Sequence, residues 1–356
     1  MTVTLLQITA CYERKANSVK LEWQSSTPLI KSFNMQAGDI MRILITIFII
    51  LNLVSCGLFL PIKVEQAEVI SIEQTPERLS RGEYLVEYVA GCADCHSQRN
   101  WSLYTAPAIP ETHGAGGEIF SEEMGMPGTI YSSNITPAAL ESWTDGEIVR
   151  AITSGVSKDG TPLFPIMPYP NYAQLSKEDV YSIVTYIRNL PPIENIVPAR
   201  KLNFPLNLIV RTIPKQAEFG VSPYSSDAIS YGKYMATAAG CADCHTPMEK
   251  GRPIEGMEFA GGFSMGMLSG GVVTSVNITP HETGIKNWSR DGFIQRFKAL
   301  DNPTAQQVPL GKGQLNTVMP WTYYAKMKAE DLGAIYDFLM SLAPIENQVV
   351  NVPNQP

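Results

Sequence analysis

Two copies of one five-residue motif constrain this chain more than any other feature. The stretch Cys92–His96 reads Cys-Ala-Asp-Cys-His, and Cys241–His245 repeats it letter for letter. Two thiols at this spacing lie on one turn and can bond the two vinyl groups of a porphyrin, and the histidine that follows faces the iron. The pair therefore predicts two covalently attached c-type haems. Their attachment points are Cys92, Cys95, Cys241 and Cys244, and their iron ligands are His96 and His245.

Two alternatives use the same residue types. A thioredoxin-like dithiol needs no histidine after the second cysteine and predicts a βαβ context. A structural zinc site could draw its cysteine and histidine ligands from both motifs. It would leave unexplained the methionines that match between the two copies. The haem interpretation accounts both for the histidine after each Cys-x-x-Cys and for the matching methionines.

From Ser80 onward the chain reads as an internal repeat. Gly82-x-Tyr84 precedes the first motif as Gly232-x-Tyr234 precedes the second, and Asn-Ile-Thr-Pro recurs at 134–137 and 277–280. A helical pattern follows each loop, with Thr144 and Glu147 as a capping box in the first copy and Ser289 as an N-cap in the second, and strand signals are sparse. The predicted fold class is all-α, with two tandem haem domains at 80–197 and 227–350. The apolar segment 198–226 between them is expected to be an ordered strap across the domain interface.

The N-terminal region has the pattern of an export signal. Met41-Arg42 precedes an apolar run that closes on Leu53-Val54-Ser55-Cys56, which resembles a lipoprotein cleavage site. We expect Cys56 to be lipidated, 41–56 to be the signal and 57–79 to be a tether. Met41 is then the expected true start, and 1–40 is an extension upstream of it. The alternative is a membrane anchor over 43–62. Either arrangement places the body at a membrane outside the cytoplasm, in the bacterial periplasm, where c-type haems are attached.

Methionine is the expected sixth iron ligand. Met167 and Met319 are the methionines that share a repeat position, each followed by proline and an aromatic residue. Thioether ligation produces an electron carrier of fairly high potential rather than an open, substrate-binding iron. His113 and His281 do not correspond in the repeat, so loop or surface roles are expected for them. Propionate contacts are expected from Trp143, Trp288, Arg150 and Arg296.

The charge balance narrows the class of partner. The formal net charge of the chain is -7, which argues against binding nucleic acid and suits a partner with a positive docking patch. The four cysteines outside the N-terminal region all belong to the two motifs, so no disulfide is expected in the folded body.

These motifs, the Asn-Ile-Thr-Pro loops, the two tryptophans and the Met167-Pro168-Tyr169-Pro170 segment together resemble a known family. They are similar to the membrane-associated dihaem cytochromes c related to the cytochrome subunits of bacterial alcohol and aldehyde dehydrogenases. The resemblance implies a class I-like cytochrome c fold in each domain, His/Met iron and transfer of electrons from an exported dehydrogenase. The acceptor would be a soluble cytochrome or an oxidase of the respiratory chain. The runner-up is a dihaem peroxidase-like enzyme with one open haem, and a docking subunit is a third possibility that is compatible with the first.

Overall fold

The structure, a computed structural model, describes residues 18–20, 34–58, 62–311, 314 and 316–350. The chain divides into two compact units, Met1–Pro61 and Ile62–Pro356. In the first unit, strand β1 (Ser18–Lys20) pairs antiparallel with β2 (Asn34–Gln36), and helix α1 (Ala37–Leu58) follows. The rest of the predicted extension 1–40 lies outside the described residues.

The predicted signal, 41–56, falls within α1. Cys56 lies in this helix, but its side chain is outside the described residues, so its lipidation stays a prediction. Within the part of the chain that the structure describes, no helix is both long enough and apolar enough to cross a membrane.

The second unit begins with the helices that surround the first motif. They are α2 (Pro76–Tyr84), α3 (Cys92–Cys95), α4 (Pro137–Leu140), α5 (Asp145–Ser154), α6 (Tyr169–Tyr172) and α7 (Lys177–Arg188). A π-helical turn, Leu85–Val89, continues α2 toward the motif. Thr144 caps α5 and forms with Glu147 the capping box expected from the sequence.

The second copy follows the connecting segment and repeats this order, except that its described residues contain no helix equivalent to α4. The connecting segment contains α8 (Leu206–Ile209). The helices of the second copy are α9 (Ala228–Ala238), α10 (Cys241–His245), α11 (Arg290–Lys298), α12 (Trp321–Tyr324) and α13 (Ala329–Met340). Ser289 caps α11, as its repeat position predicts. A hydrophobic cluster extends through both copies and includes buried residues of each, such as Val180 and Leu332.

The all-α prediction is wrong. The structure is 39% helical with 9% strand, a mixed fold with several small sheets. Those of the second unit are built from β3 (Ile119–Phe120), β4 (Gly128–Tyr131), β5 (Lys201–Leu202), β6 (Met248–Glu249), β7 (Arg252–Pro253), β8 (Ser264–Gly266) and β9 (Val272–Thr274). The glycine-rich loops after each motif fold back as the hairpins β3–β4 and β8–β9. Strands of two to four residues are too short to show an alternating pattern.

The connecting segment is ordered against the first copy. Strand β5 adds to β4 with Gly128 opposite Leu202, and the Gly220 N–H donates to the Leu175 carbonyl at 3.0 Å. Its apolar side chains are divided, since Val210 is 2% exposed and Phe204 is 80% exposed. Part of the apolar pattern therefore packs and part faces solvent.

Two glycines set the closest helix crossings. Gly82 brings α2 against α7, where an added Cβ would lie 2.0 Å from the Ser182 carbonyl oxygen. Gly232 brings α9 against α13, where a Cβ would lie 1.9 Å from the Ala334 oxygen. Only a residue without a side chain lets the two backbones approach this closely.

The tyrosines of the two Gly-x-Tyr patterns join the copies reciprocally. The Tyr84 hydroxyl donates to the Asp331 carboxylate of the second copy and accepts from the Lys328 N–H at 3.0 Å. The Tyr234 hydroxyl donates to Asp179 of the first copy at 2.6 Å. Burial, together with Asp179, raises the pKa of Tyr234 to about 12, so this hydroxyl stays protonated as a donor. Each copy thus binds the start of the other copy's last helix.

Candidate haem sites

Each motif is a short helix that starts from a left-handed glycine. Gly91 (φ 58°) precedes α3 and Gly240 (φ 67°) precedes α10, a conformation that glycine adopts without a steric penalty. Among the described residues, none of the four motif cysteines forms a disulfide, so both sulfurs of each motif are available for attachment to a porphyrin.

The two imidazoles are oriented in the same way. The Nδ1 atom of His96 lies 2.7 Å from the Ser133 carbonyl oxygen, and that of His245 lies 2.7 Å from the Val276 oxygen. A carbonyl only accepts, so Nδ1 carries the proton and Nε2 keeps its lone pair. Burial lowers the pKa of both histidines, which favours the neutral ring. A neutral imidazole fixed through Nδ1 is the form that binds a metal through Nε2.

A tight turn at a glycine also supports each histidine. We call the histidine, the carbonyl that binds its Nδ1 and this glycine turn the histidine cradle. The Gly116 N–H donates to the His96 carbonyl at 2.7 Å, and the Gly261 N–H does the same for His245 at 2.7 Å. Both glycines have positive φ, and a Cβ at either would lie 2.4 Å from the backbone of the loop that binds the imidazole. The sequence showed these loops as glycine-rich without revealing which glycine was required.

The Asn-Ile-Thr-Pro repeats support those loops. The Asn134 Oδ1 accepts from the Thr136 N–H at 2.9 Å, while its Nδ2 donates to the Ile193 carbonyl at 2.8 Å. Asn277 makes the same bonds with Thr279 and Ile345 at the same distances. Both asparagines are buried, so these side chains stabilise the same turn in each copy.

The two predicted methionine ligands lie in matching loops. Pro168 (φ -79°, ψ 50°) and Pro320 (φ -77°, ψ 59°) have nearly the same backbone, and a single helical turn follows each. Met167 and Met319 are both half-buried against the core that also contacts Cys92 and Cys241. Their assignment as iron ligands stays a prediction.

The predicted propionate contacts are placed unequally. Trp143 is half-buried against the core, whereas Trp288 is 40% exposed. The Arg296 guanidinium stacks over the Trp321 ring at 4.2 Å from its centroid. Arg150 donates from Nη2 to the Ser157 carbonyl at 2.7 Å.

Two buried polar atoms of the first copy fit a haem carboxylate. The Arg150 Nε and the Tyr169 hydroxyl have no hydrogen-bond partner among the described residues. Both belong to adjacent helices, since the Tyr169 ring lies against Gly155 just after α5. Buried donors of this kind require a partner, and a propionate would supply one. Arg150 was predicted from the sequence as a propionate contact, whereas Tyr169 was not, although its position directly after Met167-Pro168 was a usable signal.

The identical aspartates of the two motifs have different partners. Asp94 lies 3.5 Å from Arg99 Nη1, and the carboxylate of Glu118 accepts from the Arg99 N–H and the Trp101 indole at 2.9 and 2.8 Å. Asp243 instead accepts from Asn171 Nδ2 of the first copy at 2.6 Å. The repeated letters gave no indication of this difference.

The remaining histidines are in loops, as expected. His113 Nε2 lies 2.9 Å from Glu87, and His281 Nδ1 lies 3.0 Å from the Thr283 hydroxyl. In the described residues, no group of three or more His, Cys, Asp and Glu side chains is placed to hold a metal ion.

The His113–Glu87 pair predicts a pH effect on stability. Its hydrogen bond with Glu87 raises the pKa of His113 above the ordinary value, so its stabilisation is full below about pH 6.5 and is lost as the pH rises through the folded-state pKa. Replacing His113 with glutamine should lower the free energy of unfolding by up to about 1 kcal/mol at pH 5.5. At pH 9 the two chains should be alike. Urea titrations at both pH values test this; a difference equal at both would contradict it.

The chain is similar to known cytochromes c. Residues 229–343 match the model of the cytochrome c family, described as "Cytochrome c". The chain is 27% identical over 300 residues to the cytochrome c subunit of the quinone alcohol dehydrogenase of Gluconacetobacter polyoxogenes, covering 77% of this chain and 59% of that subunit. It is 29% identical over 238 residues to the same subunit of Gluconobacter oxydans, covering 62% of this chain and 46% of the subunit.

A third relative is closer in length. The chain is 26% identical over 282 residues to a protein of Cereibacter sphaeroides named diheme cytochrome c-type, covering 75% of this chain and 86% of that protein. The dehydrogenase subunits are longer, and the chain spans only about half of their length.

The chain therefore contains a cytochrome c domain over residues 229–343, and the dehydrogenase relatives that it matches are cytochrome c subunits. More particularly, it is homologous to the cytochrome c subunits of quinone alcohol dehydrogenases and to a dihaem cytochrome c. The resemblance inferred from the motifs is confirmed at this level.

Proposed function

We propose that this chain is a dihaem c-type cytochrome in which both irons have His/Met ligation and electrons pass between the two haems. The observation that carries the proposal is the matched pair of histidine cradles. Each has the same Nδ1–carbonyl distance of 2.7 Å and the same glycine turn beside a free Cys-x-x-Cys. One cradle could serve another purpose, but two equivalent cradles fit two equivalent haems.

The chain's own residues bind and orient the cofactor. The cysteines of each motif would form its two thioethers, and the carbonyl partner of each histidine, by holding the proton on Nδ1, leaves Nε2 as the nitrogen that would ligate the iron. The Arg150 Nε and the Tyr169 hydroxyl would donate to a propionate of the first haem. A bound haem c supplies one-electron redox chemistry.

The arrangement of the two copies supports a relay. Asn171, just after the Met167 loop, bonds Asp243 of the second motif at 2.6 Å, and the first motif's Gly91 lies beside Tyr323. Each attachment motif therefore lies against the other copy, the second beside the Met167 loop and the first beside α12. The reciprocal tyrosine bonds favour one fixed geometry between the haems.

The domain limits and the two ends of the relay belong to the same proposal. The two cytochrome c domains would span 80–197 and 227–350, with 57–79 as a tether to a lipid on Cys56. Related subunits are named for alcohol, fructose and gluconate dehydrogenases, so an exported dehydrogenase or a quinol-oxidising protein is the proposed donor. A soluble cytochrome or an oxidase of the respiratory chain is the proposed acceptor, with the body facing the periplasm. The acidic net charge of -7 suits partners with basic docking patches.

The peroxidase-like alternative requires one iron with an exchangeable sixth position. Pro168 and Pro320 have nearly the same backbone angles, and Met167 and Met319 are both half-buried against the core. This equivalence favours two closed sites, and the relay is therefore the function we adopt.

Haem stoichiometry tests the proposal. The exported holoprotein should carry two haems in its intact mass and in a pyridine haemochrome assay. Replacing both Cys92 and Cys95 with serine should remove one haem, and the matched change at Cys241 and Cys244 should remove the other. A chain with a single haem, or a double substitution that leaves both haems attached, would exclude the dihaem assignment.

A further inference from the structure

We propose that Asn316 is a positioning residue through which the first copy holds the loop of Met319, the predicted ligand of the second haem. The inference rests on the proposed His/Met ligation. It adds that the second site depends on a contact that the first site does not have.

Asn316 is buried between the two copies. It is 2% exposed, although it belongs to a loop. Its Nδ2 donates to the Leu103 carbonyl at 3.0 Å, and its Oδ1 accepts from the Thr105 N–H at 2.8 Å. Both partners belong to the first copy. Buried amide bonds of this kind are costly to lose because they leave donors and acceptors unpaired.

The same side chain leads directly to the methionine. The Asn316 Oδ1 also accepts from the Thr317 N–H at 2.9 Å. The Thr317 hydroxyl in turn accepts from the Met319 N–H at 3.1 Å. Three successive hydrogen bonds, Met319 to Thr317, Thr317 to Asn316 and Asn316 to the first copy, therefore connect the backbone of the predicted ligand with the first copy.

Further bonds join the backbones of the two loops. The Tyr104 N–H donates to the Val308 carbonyl at 2.8 Å, and the Leu310 N–H donates to the Ser102 carbonyl at 2.9 Å. Leu103 and Pro309 form a bridge between them. The Asn316 bonds to Leu103 and Thr105 extend this contact toward Met319.

The turn that receives Asn316 has an unusual backbone. Thr105 (φ 67°) and Ala106 (φ 44°) are in the left-handed region, which costs free energy for residues other than glycine. The buried Arg99 guanidinium holds the turn by donating from Nε to the Ala106 carbonyl at 2.8 Å and from Nη2 to the Thr105 carbonyl at 2.9 Å. A conformation maintained in this way presents the Thr105 N–H to Asn316.

The first copy supports its own methionine differently. The residue three places before Met167 is Phe164, which packs in a small apolar cluster with Trp101 and Leu202. No amide corresponding to Asn316 stands at that position. Loss of the Asn316 contact should therefore affect one haem and spare the other.

The experiment compares Asn316→Ala with wild type as full-length holoprotein. We expect both haems to stay attached by mass, roughly half of the near-infrared methionine–iron intensity to be lost, and the potential of one haem to fall. Thr105→Gly is the matched control, because glycine accepts the positive φ and keeps the N–H that Asn316 binds. It should keep the full band.

Full band intensity and two unchanged potentials in Asn316→Ala would overturn the inference. If that variant does not accumulate, Asn316→Asp replaces it. It keeps the accepting oxygen and loses the donor to Leu103, so part of the band should be lost, and an unchanged band would again be contrary. Met319→Leu separates the two hypotheses: if it leaves the band intact, the ligand assignment itself fails, whereas loss in Met319→Leu alone rejects only the role of Asn316.

Discussion

Replacing Gly232 with alanine is expected to lower the free energy of unfolding of the holoprotein by about 2–3 kcal/mol. The added Cβ would lie 1.9 Å from the Ala334 carbonyl oxygen, and 2.5 Å from its carbon. Both atoms are helix backbone, so α9 and α13 must separate to relieve the contact. That separation would also strain the Tyr234 bond to Asp179, because Tyr234 follows Gly232 on the same helix.

Helix propensity alone predicts the opposite sign, since alanine is favoured over glycine inside a helix by about 1 kcal/mol. Gly333→Ala in α13 is the matched control. The three atoms nearest to a Cβ there belong to the guanidinium of Arg290, a 45% exposed side chain that can shift at the cost of weakening its surface ion pair with Asp337. We expect the control to be close to neutral in urea unfolding. Equal stability of Gly232→Ala and wild type would show that the helices do not cross this closely.

Replacing Met319 with leucine is expected to remove the sixth ligand from the second haem and to leave the first haem unchanged. Leucine has a similar volume, so the loop and core should persist, but it has no thioether. The oxidised protein should lose about half of its methionine–iron intensity and gain a high-spin signal, and one of its two potentials should fall. Attachment through Cys241 and Cys244 should be unaffected.

Met167→Leu is the matched variant in the first copy. It should produce the same change at the other haem, and the double variant should lose the band entirely. If either single variant retains the full band, the methionine it replaces is not a ligand, and the equivalence inferred from the two Met-Pro loops is wrong.

The covalent motifs, the repeat and the helix caps were predictable because each depends on local sequence. A glycine before Cys92, a threonine three residues before Glu147 and a proline after Met167 impose their geometry on the nearest turn. The family resemblance followed from these local signals.

Features that depend on contacts between distant segments were not predictable in this way. The hairpins β3–β4 and β8–β9 are too short for a strand period and were missed. Nothing in the sequence pairs Tyr84 with Asp331 or Asn316 with Thr105, since these partners lie far apart in the chain. The burial of Arg99, which is 7% exposed, also has no signal in the sequence around it.

In the proposed protein, His96 and Met167 occupy both axial positions of one iron, and His245 and Met319 occupy both axial positions of the other. Near-infrared absorption of the oxidised wild-type holoprotein, scaled to its haem content, tests this ligation most directly. Two closed sites predict one methionine–iron band equivalent for each haem and no high-spin signal. A band equivalent for only one haem, or none, would contradict the account and would favour an open or differently ligated iron.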